Sequence, residues 1–101
     1  MLVQMSFDEF ETEVAAGRFP ASLSRPLQAL WHDARGDWPA AHAAAQEEES
    51  SAGAWVHAYL HRREGDLGNA AYWYARAGRP VADGPLDAEW AAIARTLLKA
   101  G

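Results

Sequence analysis

The sequence predicts an all-α domain, and three observations support this class. Alanine, the strongest helix former, contributes 23 of the 101 residues. Valine, isoleucine and threonine together number seven, which is too few for a protein built mainly of β-sheet. Apolar residues recur at intervals of three and four in six stretches of the chain. The length fits a single helical domain that covers residues 1–101.

The first two predicted helices are bounded by serine caps and glycine stops. Ser6 and Glu9 have the spacing of a capping box at the start of the first helix, and Gly17 ends that helix. Ser24 caps the second helix, which has a proline in its first turn, and Gly36 stops it. The predicted apolar stripes are Phe7, Phe10 and Val14 in the first helix, and Leu27, Leu30, Trp31 and Ala34 in the second.

The next two predicted helices lie in the middle of the chain. Asp37 caps the third helix, which runs into the acidic residues 47–49, and residues 50–53 are predicted as a break. The fourth helix covers about Ala54 to Glu64, and Gly65 stops it. The predicted apolar faces are Trp38, Ala41 and Ala45 in the third helix, and Trp55, Ala58 and Tyr59 in the fourth.

The last two predicted helices are separated by a loop over residues 82–85. Asp66 caps the fifth helix, and Gly78 followed by Arg79-Pro80 prevents its continuation. The predicted apolar faces are Leu67, Ala70, Ala71, Tyr74 and Ala77 in the fifth helix, and Leu86, Trp90, Ile93, Ala94 and Leu97 in the sixth.

One segment of the chain repeats at an offset of 29 residues. Residues 29–41 align with residues 58–70, and both copies describe a helix, a glycine turn, an aspartate cap and a second helix. The identical pairs are Ala29/Ala58, His32/His61, Gly36/Gly65, Asp37/Asp66 and Ala41/Ala70. The repeat predicts two antiparallel helical hairpins, at about 25–48 and 54–78, flanked by the N- and C-terminal helices.

The second copy resembles a tetratricopeptide repeat. Gly65 and Asp66 match the turn of that family, and Ala70, Tyr74 and Ala77 match its second helix. The resemblance covers roughly residues 25–78 and implies a non-catalytic scaffold that binds a protein or a peptide. The stretch 55–61 is also similar to small bacterial proteins to which no activity is attached.

On tetratricopeptide-like geometry, Tyr59, Arg62 and Arg63 line a concave groove, with Trp55 beside them. Adjacent arginines next to an aromatic ring can clamp a carboxylate in a bidentate manner, so an acidic peptide is the expected partner. The alternative is an ordinary solvated arginine pair that forms weak surface ion pairs.

His57 and His61 are four residues apart and therefore face the same side of a helix. That spacing suits a metal, and His32, at the repeat-equivalent position of His61, is a candidate to join them. The alternative is that these histidines pack inside a hairpin and hydrogen-bond to carbonyls or tyrosine hydroxyls; the absence of a specific metal motif favours it. The rival to the scaffold is thus a small-ligand- or metal-binding protein, or an enzyme, that uses His32, His57 and His61 in an aromatic pocket.

The overall composition argues against several classes of function. Nine Lys and Arg against 14 Asp and Glu, a net charge of −5, oppose nucleic-acid binding. The absence of Cys removes disulfides, thiolate catalysis and Cys-based zinc sites, and no cofactor motif is present, so neither a cofactor nor a metal is predicted. No apolar run approaches the roughly 20 residues of a membrane helix, so a cytoplasmic protein is expected. A homodimer, or docking on a partner, would add burial to a core short of large side chains.

Overall fold

The computed structural model describes residues 5–100, which form six helices and contain no strand. The all-α class is thereby confirmed. The helices are α1 (Phe7–Ala16), α2 (Arg25–Ala34), α3 (Trp38–Gln46), α4 (Ser51–Glu64), α5 (Leu67–Ala77) and α6 (Leu86–Ala100). Within the described region, none of these helices combines the length and the hydrophobicity needed to cross a bilayer.

Both glycine-aspartate corners, Gly36-Asp37 and Gly65-Asp66, separate two consecutive helices, as the sequence predicts. Gly36 and Gly65 adopt left-handed backbone conformations, with φ of 82° and 89°. Asp37 and Asp66 each cap the following helix by accepting a hydrogen bond from the backbone N–H three residues later. The two most extensive helix contacts are those between α2 and α3 and between α4 and α5. The more specific tetratricopeptide-like arrangement of these pairs stays a prediction.

The capping box at the start of α1 is confirmed. The backbone N–H of Glu9 donates to Ser6 Oγ over 3.1 Å, and Glu9 Oε1 accepts from the backbone N–H of Ser6 over 3.0 Å. Gly17 ends the helix in a left-handed conformation with φ of 73°. Both predicted boundaries of α1 therefore hold.

The predicted break over residues 50–53 is wrong, because α4 already begins at Ser51. Ser50 is the N-cap, and its Oγ accepts a hydrogen bond from the backbone N–H of Gly53 over 3.1 Å. Gly53 is buried beneath the backbone of the preceding loop, and a Cβ at this position would lie 2.2 Å from the carbonyl oxygen of Glu48. The glycine is therefore a close-approach residue within the helix.

Helix α4 is the centre of the fold, because it packs against α2, α3, α5 and α6. Its Val56 and Leu60 belong to a large buried cluster with Phe10 of α1, Leu30 of α2 and Ile93 of α6. A smaller cluster on its other side consists of Ala58, Ala70 and Tyr74. Every side of the middle of α4 thus contacts protein.

Several predicted faces differ from the observed burial. Leu67 is 66% exposed and Ala71 is also exposed, because α5 packs chiefly on α4 and covers only a narrow stripe around Ala70 and Tyr74. On α2, Ala34 was predicted to be buried but is exposed. The neighbouring Asp33 is buried instead. A charged residue occupies that position because it has partners on α4, described below.

Candidate functional site

Three histidines from two helices converge on one point of the fold. His42 comes from α3, and His57 and His61 come from successive turns of α4. One ring nitrogen from each histidine lies within 4.8 Å of the corresponding nitrogens of the other two. Nε2 of His42 and Nε2 of His57 are 2.8 Å apart and share a hydrogen bond. The rings of His57 and His61 stack with centroids 4.9 Å apart, as their four-residue spacing predicts. We call these three residues the histidine cluster.

Two tryptophans, one on α3 and one on α5, stack on rings of the histidine cluster. Trp38 stacks on the ring of His42 with a centroid distance of 4.8 Å and an interplanar angle of 21°. Trp73 of α5 stacks on His57 at 4.0 Å and 20°. The indole N–H of Trp38 donates to the carbonyl of Leu60 over 3.1 Å, which ties α3 to α4. The planes of two of the three imidazoles are therefore set by packing.

Burial keeps two members of the histidine cluster uncharged at neutral pH. His57 is 4% exposed, and this burial, with the neighbouring His42 and His61, lowers the pKa of His57 from 6.5 to about 4. Burial also lowers the pKa of His42, and the nearby His61 adds to that effect. Neutral imidazole is the form that binds metal ions.

We expect the metal-free protein to lose stability in mild acid because of the histidine cluster. The lowered pKa of His57 means that the unfolded chain takes up a proton near pH 6.5 while the folded chain resists it. This stabilisation is complete above pH 6.5 and is lost as the pH falls toward 4, a change on the order of 2 kcal/mol. His42, His61 and the nearby Glu64 are the other titratable groups around this position. Urea unfolding with a chelator at a series of pH values measures the loss.

The matched control for this pH dependence is His32, which lies outside the cluster. A His57→Gln variant should show a flatter dependence of the unfolding free energy on pH than wild type, and a His32→Gln variant should follow wild type. Parallel curves for wild type and His57→Gln would contradict the assignment.

One nitrogen of the histidine cluster has no hydrogen-bond partner. Nδ1 of His61 is shielded from solvent and makes no hydrogen bond. The nearest carboxylate oxygens are Oε1 of Glu64 at 3.7 Å and Oδ2 of Asp66 at 3.9 Å. Oδ2 of Asp66 already accepts a hydrogen bond from the side-chain amide of Asn69 over 2.6 Å. The carboxylates therefore lie on the Nδ1 side of the His61 ring.

His32, expected to approach His57 and His61, is placed elsewhere. Its ring lies 5.3 Å from that of Phe19 and 5.2 Å from that of Trp31, on the side of α2 that faces the α1–α2 loop. His42 takes the expected place, because α3 packs directly against α4. Sequence reasoning missed His42, although Trp38 and His42 have the same four-residue spacing on α3 that His57 and His61 have on α4.

Tyr59 and Arg63 of the expected peptide groove face a buried carboxylate. Tyr59 is 1% exposed, and its hydroxyl donates to Oδ2 of Asp33 over 2.8 Å. Nε of Arg63 lies 3.2 Å from Oδ1 of the same carboxylate. Burial raises the pKa of Asp33, and the hydrogen bond from Tyr59 and the charge of Arg63 oppose that rise. These contacts connect α4 to α2.

Arg62 and Trp55 also have partners within the fold. Nη1 of Arg62 lies 2.7 Å from Oε1 of Glu89, and its Nη2 donates to the carbonyl of Gly84. The second oxygen of Glu89 accepts a hydrogen bond from the hydroxyl of Tyr74. The guanidinium of Arg79 lies 3.7 Å above the ring of Trp55. Arg62 therefore connects α4 to α6 and to the loop that precedes it.

Comparison with known proteins found no match to this chain among protein-family models, curated proteins or solved structures. The resemblance to tetratricopeptide repeats accordingly stays a prediction from the residues.

Proposed function

We propose that this protein binds a divalent transition-metal ion through His42, His57 and His61. The convergence of their three ligand-capable nitrogens within 4.8 Å carries this proposal. Metal binding was the rival interpretation of the sequence, and His42 now replaces His32 as the third ligand.

The chemistry of the three ligands selects the class of metal. Imidazole nitrogen suits zinc, copper and nickel, whereas magnesium and calcium prefer oxygen. The lowered pKa values of His42 and His57 favour ligation further, because neither ring has to lose a positive charge at pH 7. The ring that donates the hydrogen bond between the two Nε2 atoms has to carry its proton on Nδ1 instead when it binds the ion. The proposed ion is therefore Zn²⁺ or one of its borderline-soft neighbours.

The spacing of the ligands is close to that of a metal-bound state. Zinc–nitrogen bonds of about 2.0–2.1 Å in a tetrahedral site place the ligand nitrogens about 3.3 Å apart. The 2.8 Å between His42 and His57 has to open slightly, and the largest separation, below 4.8 Å, has to contract. Both changes require the imidazole side chains to rotate. Three protein ligands leave the fourth position of a tetrahedral ion for water or a small ligand.

A polar cleft reaches the histidine cluster at one of its three members. His57 and Trp73 form part of its wall, and its volume is about 470 Å³. Glu48, Glu49 and Arg76 also line the cleft, so its lining carries two carboxylates for one guanidinium. Carboxylates in such a lining raise the local concentration of cations.

Isothermal titration calorimetry of the purified protein with Zn²⁺, Cu²⁺ and Ni²⁺ tests the proposal. We expect one ion per chain and a loss of affinity of at least about 100-fold, equivalent to about 2.7 kcal/mol, in His42→Ala and in His61→Ala. Tryptophan fluorescence provides a second signal, because Trp38 and Trp73 stack on two of the ligands.

His32→Ala is the matched control, since it removes an imidazole that packs against Phe19 and Trp31. It should bind metal like wild type, and circular dichroism should confirm that every variant is folded. Failure of wild type to bind any of the three ions, or equal affinities for wild type and both cluster variants, would contradict the proposal.

The acidic-peptide clamp expected from Tyr59, Arg62 and Arg63 stays a prediction. Each of these side chains is engaged with a carboxylate of the same chain. These internal contacts compete with an acidic peptide for the same side chains.

A further inference from the structure

Nδ1 of His61 lacks the hydrogen-bond partner that its surroundings could supply. Nδ1 of His61 is shielded from solvent without a hydrogen bond, while two carboxylate oxygens lie just beyond hydrogen-bond distance at 3.7 and 3.9 Å. A buried polar atom without a hydrogen bond is unfavourable, so a small movement that supplies a partner is favourable.

Glu64 is better placed than Asp66 to become that partner. Asp66 is the N-cap of α5, and both of its carboxylate oxygens accept hydrogen bonds from Asn69. Glu64 lies three residues after His61 on α4, and its side chain is 46% exposed. It can therefore rotate without displacing a packed group. Closing the distance from 3.7 Å to about 3.0 Å completes a hydrogen bond.

We infer that Glu64 is a positioning residue that accepts the Nδ1–H of His61 and so keeps the Nε2 lone pair of this ring available to a metal. A histidine that ligates a metal usually donates its other ring N–H to a carboxylate or a carbonyl, which fixes the tautomer and strengthens the ligand. The effect on metal affinity rests on the proposed function. The choice of tautomer belongs to the metal-free protein and can be tested alone.

The tautomer is measured in the metal-free protein by long-range ¹H–¹⁵N NMR correlation of the His61 ring at about pH 8. Wild type should show the proton on Nδ1. Glu64→Gln keeps a neutral acceptor oxygen and should retain this tautomer, whereas Glu64→Ala should shift the population toward Nε2–H. Wild type with the proton on Nε2, or identical spectra for wild type and Glu64→Ala, would overturn the inference.

The metal arm measures Zn²⁺ affinity by calorimetry for the same three proteins. Loss of a carboxylate behind a histidine ligand typically lowers metal affinity by about 10–100-fold, which is the loss expected for Glu64→Ala, with partial recovery in Glu64→Gln. Glu11→Ala, which removes the same charge from an exposed position on α1, is the control and should bind like wild type.

The two arms separate the two hypotheses. Wild type that binds Zn²⁺ together with Glu64→Ala that binds equally well overturns the role of Glu64 and leaves the proposed function standing. Wild type that binds no metal overturns the proposed function, and the NMR experiment then decides the role of Glu64 on its own.

Discussion

Replacing Gly53 with alanine should destabilise the protein by about 3 kcal/mol and lower its Tm by more than about 10 °C. The added Cβ would lie 2.2 Å from the carbonyl oxygen of Glu48 and 3.0 Å from the Cβ of the same residue. The first of these atoms belongs to the backbone, so relief of the overlap requires the α3–α4 loop to move away from α4. Alanine is the better helix former, yet the steric cost exceeds that gain of about 1 kcal/mol.

Gly68→Ala is the matched control for this prediction. Gly68 also lies in the first turn of a helix, and nothing approaches within 4 Å of an added Cβ. This substitution should therefore stabilise the fold by about 0.5 kcal/mol through helix propensity. Urea unfolding of both variants provides the comparison. Similar unfolding free energies for Gly53→Ala and Gly68→Ala would show that the close approach at Gly53 carries little energy.

Arg62→Ala should destabilise the protein by about 3 kcal/mol, because it leaves a buried carboxylate without its counterion. The side chains of Arg62 and Glu89 are only 14% and 8% exposed, and their charged atoms lie 2.7 Å apart. After the substitution, Glu89 retains the hydroxyl of Tyr74 as a hydrogen-bond donor. One neutral donor compensates a buried charge only in part.

Two further variants test whether the loss of stability arises from the burial of the ion pair. Arg25→Ala breaks an ion pair with Glu47 in which both side chains are more than half exposed, so it should cost no more than about 1 kcal/mol. Adding Glu89→Gln to Arg62→Ala removes the uncompensated charge and should recover part of the loss. Equal unfolding free energies for Arg25→Ala and Arg62→Ala would refute the prediction. The structural role of Arg62 also means that peptide-binding assays with this variant need a parallel test of folding.

Local signals predicted the helices well because short-range chemistry sets their ends. The Ser6–Glu9 capping box and the corners at Gly36 and Gly65 need only a few neighbouring residues to form, and all three occur as expected. Gly53 shows where local reasoning fails. A glycine in a Ser-Ala-Gly stretch suggests a break, and only the packing of the α3–α4 loop reveals its use inside a helix.

For the same reason, only two of the three members of the histidine cluster could be predicted from the sequence. The four-residue spacing of His57 and His61 places them together on any helix, but their third partner depends on which helix packs against that face. The repeat pointed to His32 on α2, whereas contact between α3 and α4 brings in His42. Likewise, the burial of Asp33 depends on Tyr59, which lies 26 residues farther along the chain.

The short link between α3 and α4 also determines the distance between the histidines that these two helices carry. Only residues 47–50 separate the two helices, and the backbone of Gly53 rests against this link. An insertion or deletion in the link would change the separation of His42 from His57. The spacing of His57 and His61 would not change, because both lie on α4. A distant chain with the same site should therefore be recognisable by a gap of about 14 residues between its first two histidines, then a gap of three, with a glycine four positions before the second histidine.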